Sequence, residues 1–121
     1  MIAPRGNSIQ GMSDSLSKYL QFSKSTHRVN KRYKIVDCKE LYVLQEVLSA
    51  YIDGVELAVL DLILIKEIAS QATLHSVMKG LILKKLIKTE TSKRDGRRKN
   101  VLPTKLGLSW LKDSAQLLDD F

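Results

Sequence analysis

Hydrophobic residues recur at the 3.6-residue period of an α-helix over most of this chain. The clearest helix is predicted to begin after Asp37, where Asp-Cys-Lys-Glu has the form of a capping box, and to end at Gly54, which suits a helix C-terminus. Three other stretches show the same period. They are residues 14–23, 59–69 and 105–121.

The stretch from Ser70 to Leu86 predicts a further helix with two unlike faces. Its apolar side carries Leu74, Val77, Met78, Leu81 and Leu86. Short polar or cationic side chains occupy the other side, namely Ser70, Gln71, Thr73, His75, Ser76 and Lys79. No carboxylate follows until Glu90, so this face suits the major groove of DNA. A buried helix with a solvated outer face is the alternative interpretation.

Short alternating stretches at 55–58, 87–91 and 99–103 predict a small antiparallel sheet. Asp95-Gly96, between the last two, is a strong hairpin signal. A very tight connection between Ala69 and Ser70 joins two predicted helices, as in a helix–turn–helix. The order of elements therefore predicts a mainly α fold with a small β-wing. It is a winged helix–turn–helix of about five helices and a two- to three-stranded antiparallel sheet.

The positive charge of the chain is concentrated in two blocks. The net charge is +7, yet residues 70–105 carry ten Lys or Arg against two acids, and residues 1–36 carry seven against one. Residues 37–69 carry two against seven. Because the excess coincides with the Ser70–Leu86 helix and the stretch after it, the pattern indicates phosphate binding. Five cations in the seven residues from Lys93 to Lys99 are the densest part.

Several other classes of protein are disfavoured. Cys38 is the only cysteine, and His75 has no second ligand at a suitable spacing, so we expect no metal. No Gly-rich phosphate loop, Ser–His–Asp set or carboxylate pair is present, so we expect neither an enzyme nor a cofactor. No apolar run is long enough to span a bilayer, and no secretory signal is present. We therefore expect a cytoplasmic, nucleoid-associated protein without membrane contact.

The charge and turn pattern divides the chain into two regions. Residues 1–36 are predicted to be a mobile N-terminal arm with a short helix, and residues 37–121 a winged helix–turn–helix DNA-binding domain. The basic stretch 24–36 has two interpretations. It is either a solvated linker or an arm that contacts phosphate.

Between about Asp37 and Gly107 the chain resembles the MarR-type family of transcriptional regulators. The resemblance rests on four short motifs: Ser70-Gln71-Ala72-Thr73-Leu74, Leu86-Ile87, Asp95-x-Arg97 and Thr104-x-x-Gly107. It implies a sequence-specific regulator of transcription that binds double-stranded DNA. The polar face of the Ser70–Leu86 helix would enter the major groove.

The resemblance also implies roles in the wing. Arg97 would reach the minor groove from the wing tip, which suits an Arg side chain, and Asp95 would orient it by a salt bridge. The other wing cations would meet phosphate. They are Lys93, Arg94, Arg98 and Lys99. No small-molecule effector follows from the sequence.

Some residues depart from the family pattern. Lys85 stands where the family usually has Gly, so the turn after the recognition helix must be strained or altered. Ile82 and Leu83 replace residues that are commonly polar, which predicts burial of the second half of the helix. Family dimers usually use longer terminal helices. Here the surplus apolar residues predict either a smaller homodimer interface or a plain contact between the first and last helices. They are Leu16, Leu20, Trp110, Leu117 and Phe121.

Two other functions compete with a DNA-binding regulator. One is a winged-helix adaptor that docks a partner protein through its apolar C-terminal helix. The other is RNA binding, which is disfavoured because only 6% of the residues are aromatic and few are available to stack on bases.

Overall fold

The computed structural model describes residues 12–121, which form five helices and one antiparallel hairpin. The helices are α1 (Ser13–Arg32), α2 (Cys38–Ile52), α3 (Val59–Ile63), α4 (Gln71–Leu83) and α5 (Lys105–Asp120). The strands are β1 (Ile87–Thr91) and β2 (Lys99–Pro103). This order confirms the predicted mainly α fold with a small β-wing. None of these helices is long and apolar enough to cross a membrane.

Helix α2 lies at the centre of the core. Asp37 caps its start as predicted, since Oδ1 accepts the backbone N–H of Lys39 at 2.7 Å. The reciprocal half of the predicted capping box does not form, because Glu40 Oε2 binds Lys84 instead of the Asp37 N–H. Val43, Leu44 and Val47 are fully buried, and the helix packs against α4, α5 and β2. Leu48 of the same helix is also buried. The rest of the core cluster comes from other parts of the chain: Val29, Ile35, Leu62, Ile63, Leu74, Met78, Leu81, Leu86, Ile87, Val101 and Trp110.

Helix α1 is longer than predicted. It continues to Arg32, so the prediction of a short helix followed by a linker is wrong for residues 24–32. Lys and Arg are good helix formers, and a high charge therefore does not end a helix. Val29 and Asn30 are buried on the inner side of this basic stretch. The first eleven residues of the predicted arm lie outside the described range.

Two side chains of α1 fix it to α5. The Asn30 Oδ1 atom accepts a hydrogen bond from the indole N–H of Trp110 at 2.8 Å. The Tyr33 hydroxyl donates to Asp113 Oδ2 at 2.5 Å. This hydrogen bond raises the pKa of Tyr33 above its ordinary value, and burial raises it further. Trp110 is only 4% exposed, so the prediction that it contributes to a dimer interface is wrong. The alternative, a contact between the two helices, describes Trp110 correctly.

Helix α3 is shorter than the predicted 59–69. It ends at Ile63, and the following residues form four-residue turns, in which Ile65 N–H donates to Leu62 O and Ile68 N–H donates to Ile65 O. The stretch is so uniformly apolar that its period cannot mark the end of the helix. Both isoleucines remain partly buried against the core.

The sheet contains two strands in the described range. Ile87 is opposite Pro103, and Thr91 is opposite Lys99. The predicted third strand at 55–58 is reduced to a single bridge between Ala58 and Asn100. Beside it, the backbone N–H of Val101 donates to Leu57 O at 2.8 Å. The hairpin is therefore attached to the segment that enters α3.

The turn after α4 keeps its usual geometry although Lys85 replaces Gly. Lys85 adopts a left-handed conformation with φ 63°. Its N–H donates to Ile82 O, and the N–H of Leu86 donates to Leu81 O, which together form a Schellman motif. The sequence predicted that the turn at Lys85 is either strained or altered. The turn is not altered, and the strain lies in the left-handed backbone conformation of Lys85. Lys34 occupies the same left-handed position after α1, with φ 64°.

The Thr104-x-x-Gly107 motif holds this turn from the other side. The Thr104 hydroxyl donates to Lys85 O at 2.6 Å and accepts the Gly107 N–H at 3.0 Å, which caps α5. The Thr104 N–H donates to Leu86 O at 3.1 Å. A Cβ atom on Gly107 would lie 2.3 Å from the Leu86 oxygen. Only glycine therefore allows the start of α5 to approach the end of α4 this closely.

Replacing Lys85 by Gly should stabilise the protein. A left-handed residue with a Cβ costs about 1–2 kcal/mol, and the greater freedom of Gly in the unfolded chain offsets part of the gain. We expect Lys85→Gly to raise the free energy of unfolding by about 0.5–1 kcal/mol, measured by urea denaturation. Lys85→Ala is the control, because it removes the same charge but keeps a Cβ. If Lys85→Gly and Lys85→Ala were equally stable, a Cβ atom at this left-handed position would cost no free energy, which would contradict the proposed backbone strain.

Candidate nucleic-acid interface

Helix α4 presents a polar face at its N-terminal end. Ser70 is the N-cap, and its Oγ accepts the backbone N–H of Thr73 at 3.3 Å. Most of the predicted contact residues are exposed: Ser70, Gln71, His75, Ser76 and Lys79. Thr73 is half-buried, and its hydroxyl accepts a hydrogen bond from Ser70 Oγ at 3.0 Å. This end of the helix therefore offers donors, acceptors and one cation to solvent.

The opposite face of α4 anchors it in the core. Leu74, Met78 and Leu81 are buried, so the side that faces outward is fixed. Ile82 packs partly against the core, but Leu83 is 82% exposed. The prediction that Leu83 is buried is wrong. It lies in the last turn of the helix, on the side away from the buried residues.

The wing loop is ordered by its own polar side chains. Ser92 is buried, and its Oγ accepts the backbone N–H groups of Arg94 and Asp95 at 3.2 and 3.3 Å. The N–H of Arg98 donates to Asp95 O at 3.0 Å, which closes a turn at the tip. Such a turn directs the side chains of the tip residues into solvent. Gly96 and Arg97 are both exposed there.

Asp95 does not orient Arg97 as the resemblance implied. Its Oδ1 atom accepts the backbone N–H of Arg97 at 3.0 Å. Among the described residues no ion pair joins their side chains. Asp95 therefore shapes the turn and leaves the Arg97 guanidinium group free to meet a ligand.

The five wing cations differ in how far they are already paired. Lys93, Arg97 and Lys99 are exposed and have no acidic partner within residues 12–121. Arg94 is exposed and lies 3.7 Å from a Glu56 oxygen. Arg98 is half-buried and contacts three groups of the protein. The first three are the cations most available to phosphate.

The start of α2 lies beside α4, which the sequence did not reveal. A groove of about 590 Å³ runs between the two helices, and Lys39 lines it together with Thr73 and Ser76. Lys39 thus adds a cation next to the polar face of α4. The capping box placed Lys39 at a helix start, but only the packing of α2 on α4 brings the two helices together.

A buried ion pair also joins these helices. The Lys84 Nζ atom lies 2.5 Å from Glu40 Oε2. Glu40 is buried, and its Oε1 atom has no hydrogen-bond partner among the described residues. Without Lys84 this carboxylate would be left in the core with no compensating charge. The pair therefore holds the second half of α4 at a fixed position on α2.

Removing Lys84 should destabilise the protein. We expect Lys84→Met to lower the free energy of unfolding by about 2 kcal/mol, since Glu40 would be buried unpaired, although partial solvent access to Lys84 limits the loss. The measurement is urea denaturation. Lys88→Met is the matched control, because the Lys88–Glu90 pair at 3.1 Å is half-exposed and should contribute little. Glu40→Gln combined with Lys84→Met should recover part of the loss. Equal effects of Lys84→Met and Lys88→Met would contradict this role of the pair.

Within residues 12–121, no group of three or more His, Cys, Asp or Glu side chains is placed to hold a metal ion. His75 stands alone on the outer face of α4. Its imidazole is available for hydrogen bonding to a partner instead.

The chain matches no protein-family model and no curated protein by sequence. Solved structures do resemble it. A complex of MepR from S. aureus with DNA has a TM-score of 0.69 and 18% identity, over 93% of this chain and 76% of MepR. MepR bound to ethidium bromide has a TM-score of 0.70 and 19% identity, over 92% and 75%. The transcriptional regulator Tm0710 from Thermotoga maritima has a TM-score of 0.65 and 15% identity, over 93% and 75%.

These likenesses confirm the fold that the sequence motifs predicted. MepR and Tm0710 are MarR-family transcriptional regulators. The chain has the winged helix–turn–helix fold of these proteins.

Proposed function

We propose that this protein is a sequence-specific transcriptional regulator that binds double-stranded DNA. The observation that supports the proposal best is the surface formed by the polar end of α4 and the unpaired wing cations. These side chains face solvent on a helix and a loop that the core holds in place. A solved neighbour of the same fold, MepR, forms a complex with DNA.

The dimensions of α4 suit the major groove. Its 13 residues span about 20 Å, and the major groove is wide enough to admit one helix. The groove would receive the polar end, where Gln71, His75 and Ser76 can hydrogen-bond to base edges. Lys79 lies about one helical turn beyond His75 and would meet phosphate.

The wing would bind beside this groove. Arg97, at the tip, would enter the adjacent minor groove, where a narrow groove with a strong negative potential attracts Arg. Lys93 and Lys99, on either side of the tip, would contact phosphate groups. In this arrangement the helix reads sequence and the wing mainly adds affinity. The protein would then be located on the nucleoid.

A salt series tests DNA binding. Four cations on phosphate, or in the minor groove, predict a slope of log K against log[salt] of about −3.6 for each protomer. Arg97→Ala should weaken binding to duplex DNA, and Lys79→Ala should make the slope about 0.9 less steep. Fluorescence anisotropy with a labelled duplex pool and with a selected site measures both quantities.

Lys112→Ala is the control, because Lys112 is exposed on α5, outside the proposed interface. It should leave the slope unchanged. Absence of salt-dependent binding to any duplex would refute the proposed function. Equal affinity for all duplexes would leave a DNA-binding protein but refute sequence-specific recognition.

We also propose that the protein forms a homodimer and binds DNA in this form. The two protomers would contact each other through the N-terminal part of α1 and the C-terminal end of α5. Apolar side chains at these ends face solvent: Leu16, Tyr19, Leu20, Leu118 and Phe121. The Phe22 and Phe121 rings pack edge to face with centroids 5.9 Å apart, which joins the two helix ends into one surface. Leu117 is partly buried between the helices and lies at the margin of this surface. Contiguous exposed apolar residues favour association.

Leu20→Glu tests the dimer, since Leu20 is 58% exposed and a charge there would oppose association. We expect sedimentation to show a dimer for the native chain and a monomer for the variant, with weaker binding to a palindromic site. Leu60→Glu is the control, because Leu60 is equally exposed but lies on α3. A native chain that is already monomeric would contradict the dimer. Retention of DNA binding together with loss of a partner protein would instead support the adaptor hypothesis for this surface.

A further inference from the structure

The half-buried side chain of Arg98 is bound to other groups of the protein. Its Nε atom donates to Asn100 Oδ1 at 3.0 Å, and its Nη2 atom donates to the Glu56 carbonyl oxygen at 3.3 Å. The same Nη2 atom lies 3.7 Å from Asp61 Oδ2. Only about two-fifths of the side chain is accessible to solvent. The guanidinium group therefore bridges the wing and the segment that leads into α3.

Asp61 takes part in two of the contacts that hold this junction. Its Oδ2 atom accepts the backbone N–H of Ala58 at 3.2 Å, which caps the start of α3, and the same atom faces Arg98. Ala58 is bridged to Asn100 of β2. One carboxylate thus connects the first turn of α3 with the base of the wing.

Backbone contacts run alongside these side chains. The N–H of Val101 donates to Leu57 O at 2.8 Å, and both Asn100 and Val101 are buried. The wing is long and its tip is exposed, so its direction depends on how firmly its base is held. Arg98 is half-buried and Asp61 is exposed, so the two side chains lie on the solvent side of that base. There they cover a part of the base that the backbone hydrogen bonds do not shield.

We propose that Arg98 is a positioning residue that fixes the direction of the wing by joining it to α3 through Asp61 and the Glu56 carbonyl group. It does not bind DNA phosphate, in contrast to its neighbours Arg97 and Lys99. The part of this inference that concerns DNA rests on the proposed function. The part that concerns the attachment of the wing stands without it.

The sign of the Asp61→Asn effect distinguishes this role from simple electrostatics. Removing an acid near a DNA-binding surface should strengthen binding to phosphate. If Asp61 holds Arg98 and the wing, the same change should weaken binding instead, by about threefold. Glu67→Gln is the matched control, because Glu67 is exposed after α3 and makes no ion pair within the described residues. It should leave binding unchanged or strengthen it slightly.

Arg98→Lys separates geometry from charge. Lysine keeps the positive charge but lacks the planar group that reaches Asn100 and Glu56 together. A positioning role predicts weaker DNA binding, by about fivefold, with an unchanged slope of log K against log[salt]. Arg97→Gln should instead make the slope about 0.9 less steep. Near-native binding by Arg98→Lys, or a less steep slope for Arg98→Gln, would show that Arg98 binds phosphate and overturn the proposal.

Hydrogen exchange tests the attachment without DNA. Amide exchange at Val101 should be faster in Asp61→Asn and Arg98→Lys than in the native chain, and unchanged in Arg97→Gln. Unchanged exchange at Val101 in both of the first two variants would overturn the proposal. If the native chain binds no duplex, the proposed function fails, and faster exchange would still establish that Arg98 and Asp61 hold the wing.

Discussion

Thr104 connects α4, the base of the wing and α5. Its hydroxyl donates to the carbonyl group of Lys85 just after α4 and accepts the N–H of Gly107 in the first turn of α5, while its backbone N–H donates to Leu86 O. Both ends of the β-hairpin meet there, since β1 begins at Ile87 and β2 ends at Pro103. The junction of α4, the base of the wing and α5 therefore depends on Thr104 and on the absence of a side chain at Gly107.

Local signals predicted a large part of this fold. The N-caps at Asp37, Ser70 and Thr104 each involve residues two or three positions apart, so the sequence displays them directly. The exposed face of α4 followed from its period. The same rules failed where composition misleads. A basic stretch proved to be the C-terminal half of α1, and the apolar stretch after α3 gave no sign of where that helix ends.

The contacts that define the candidate site most sharply could not be predicted, because they join residues far apart in sequence. Glu40 meets Lys84 across 44 positions, and Arg98 meets the Glu56 carbonyl group across 42. The family resemblance implied that Arg98 would contact phosphate with the other wing cations. Its contacts with the Glu56 carbonyl group and Asp61 show that Arg98 is bound within the protein. Three other wing cations are exposed and have no acidic partner among the described residues. Likewise, only the observed left-handed turn explains how Lys85 is accommodated.

The contacts between α1 and α5 have a consequence for the order of folding during synthesis. Asn30 and Tyr33 find their side-chain partners, Trp110 and Asp113, 80 residues later in the chain. At typical rates of translation, about 4–16 s separate the two helices. During that interval the apolar side of α1 has no α5 to cover it, whereas α2, α3 and α4 can already pack together. The helices α2, α3 and α4 should thus pack together first, and α1 should dock last, once α5 has been made.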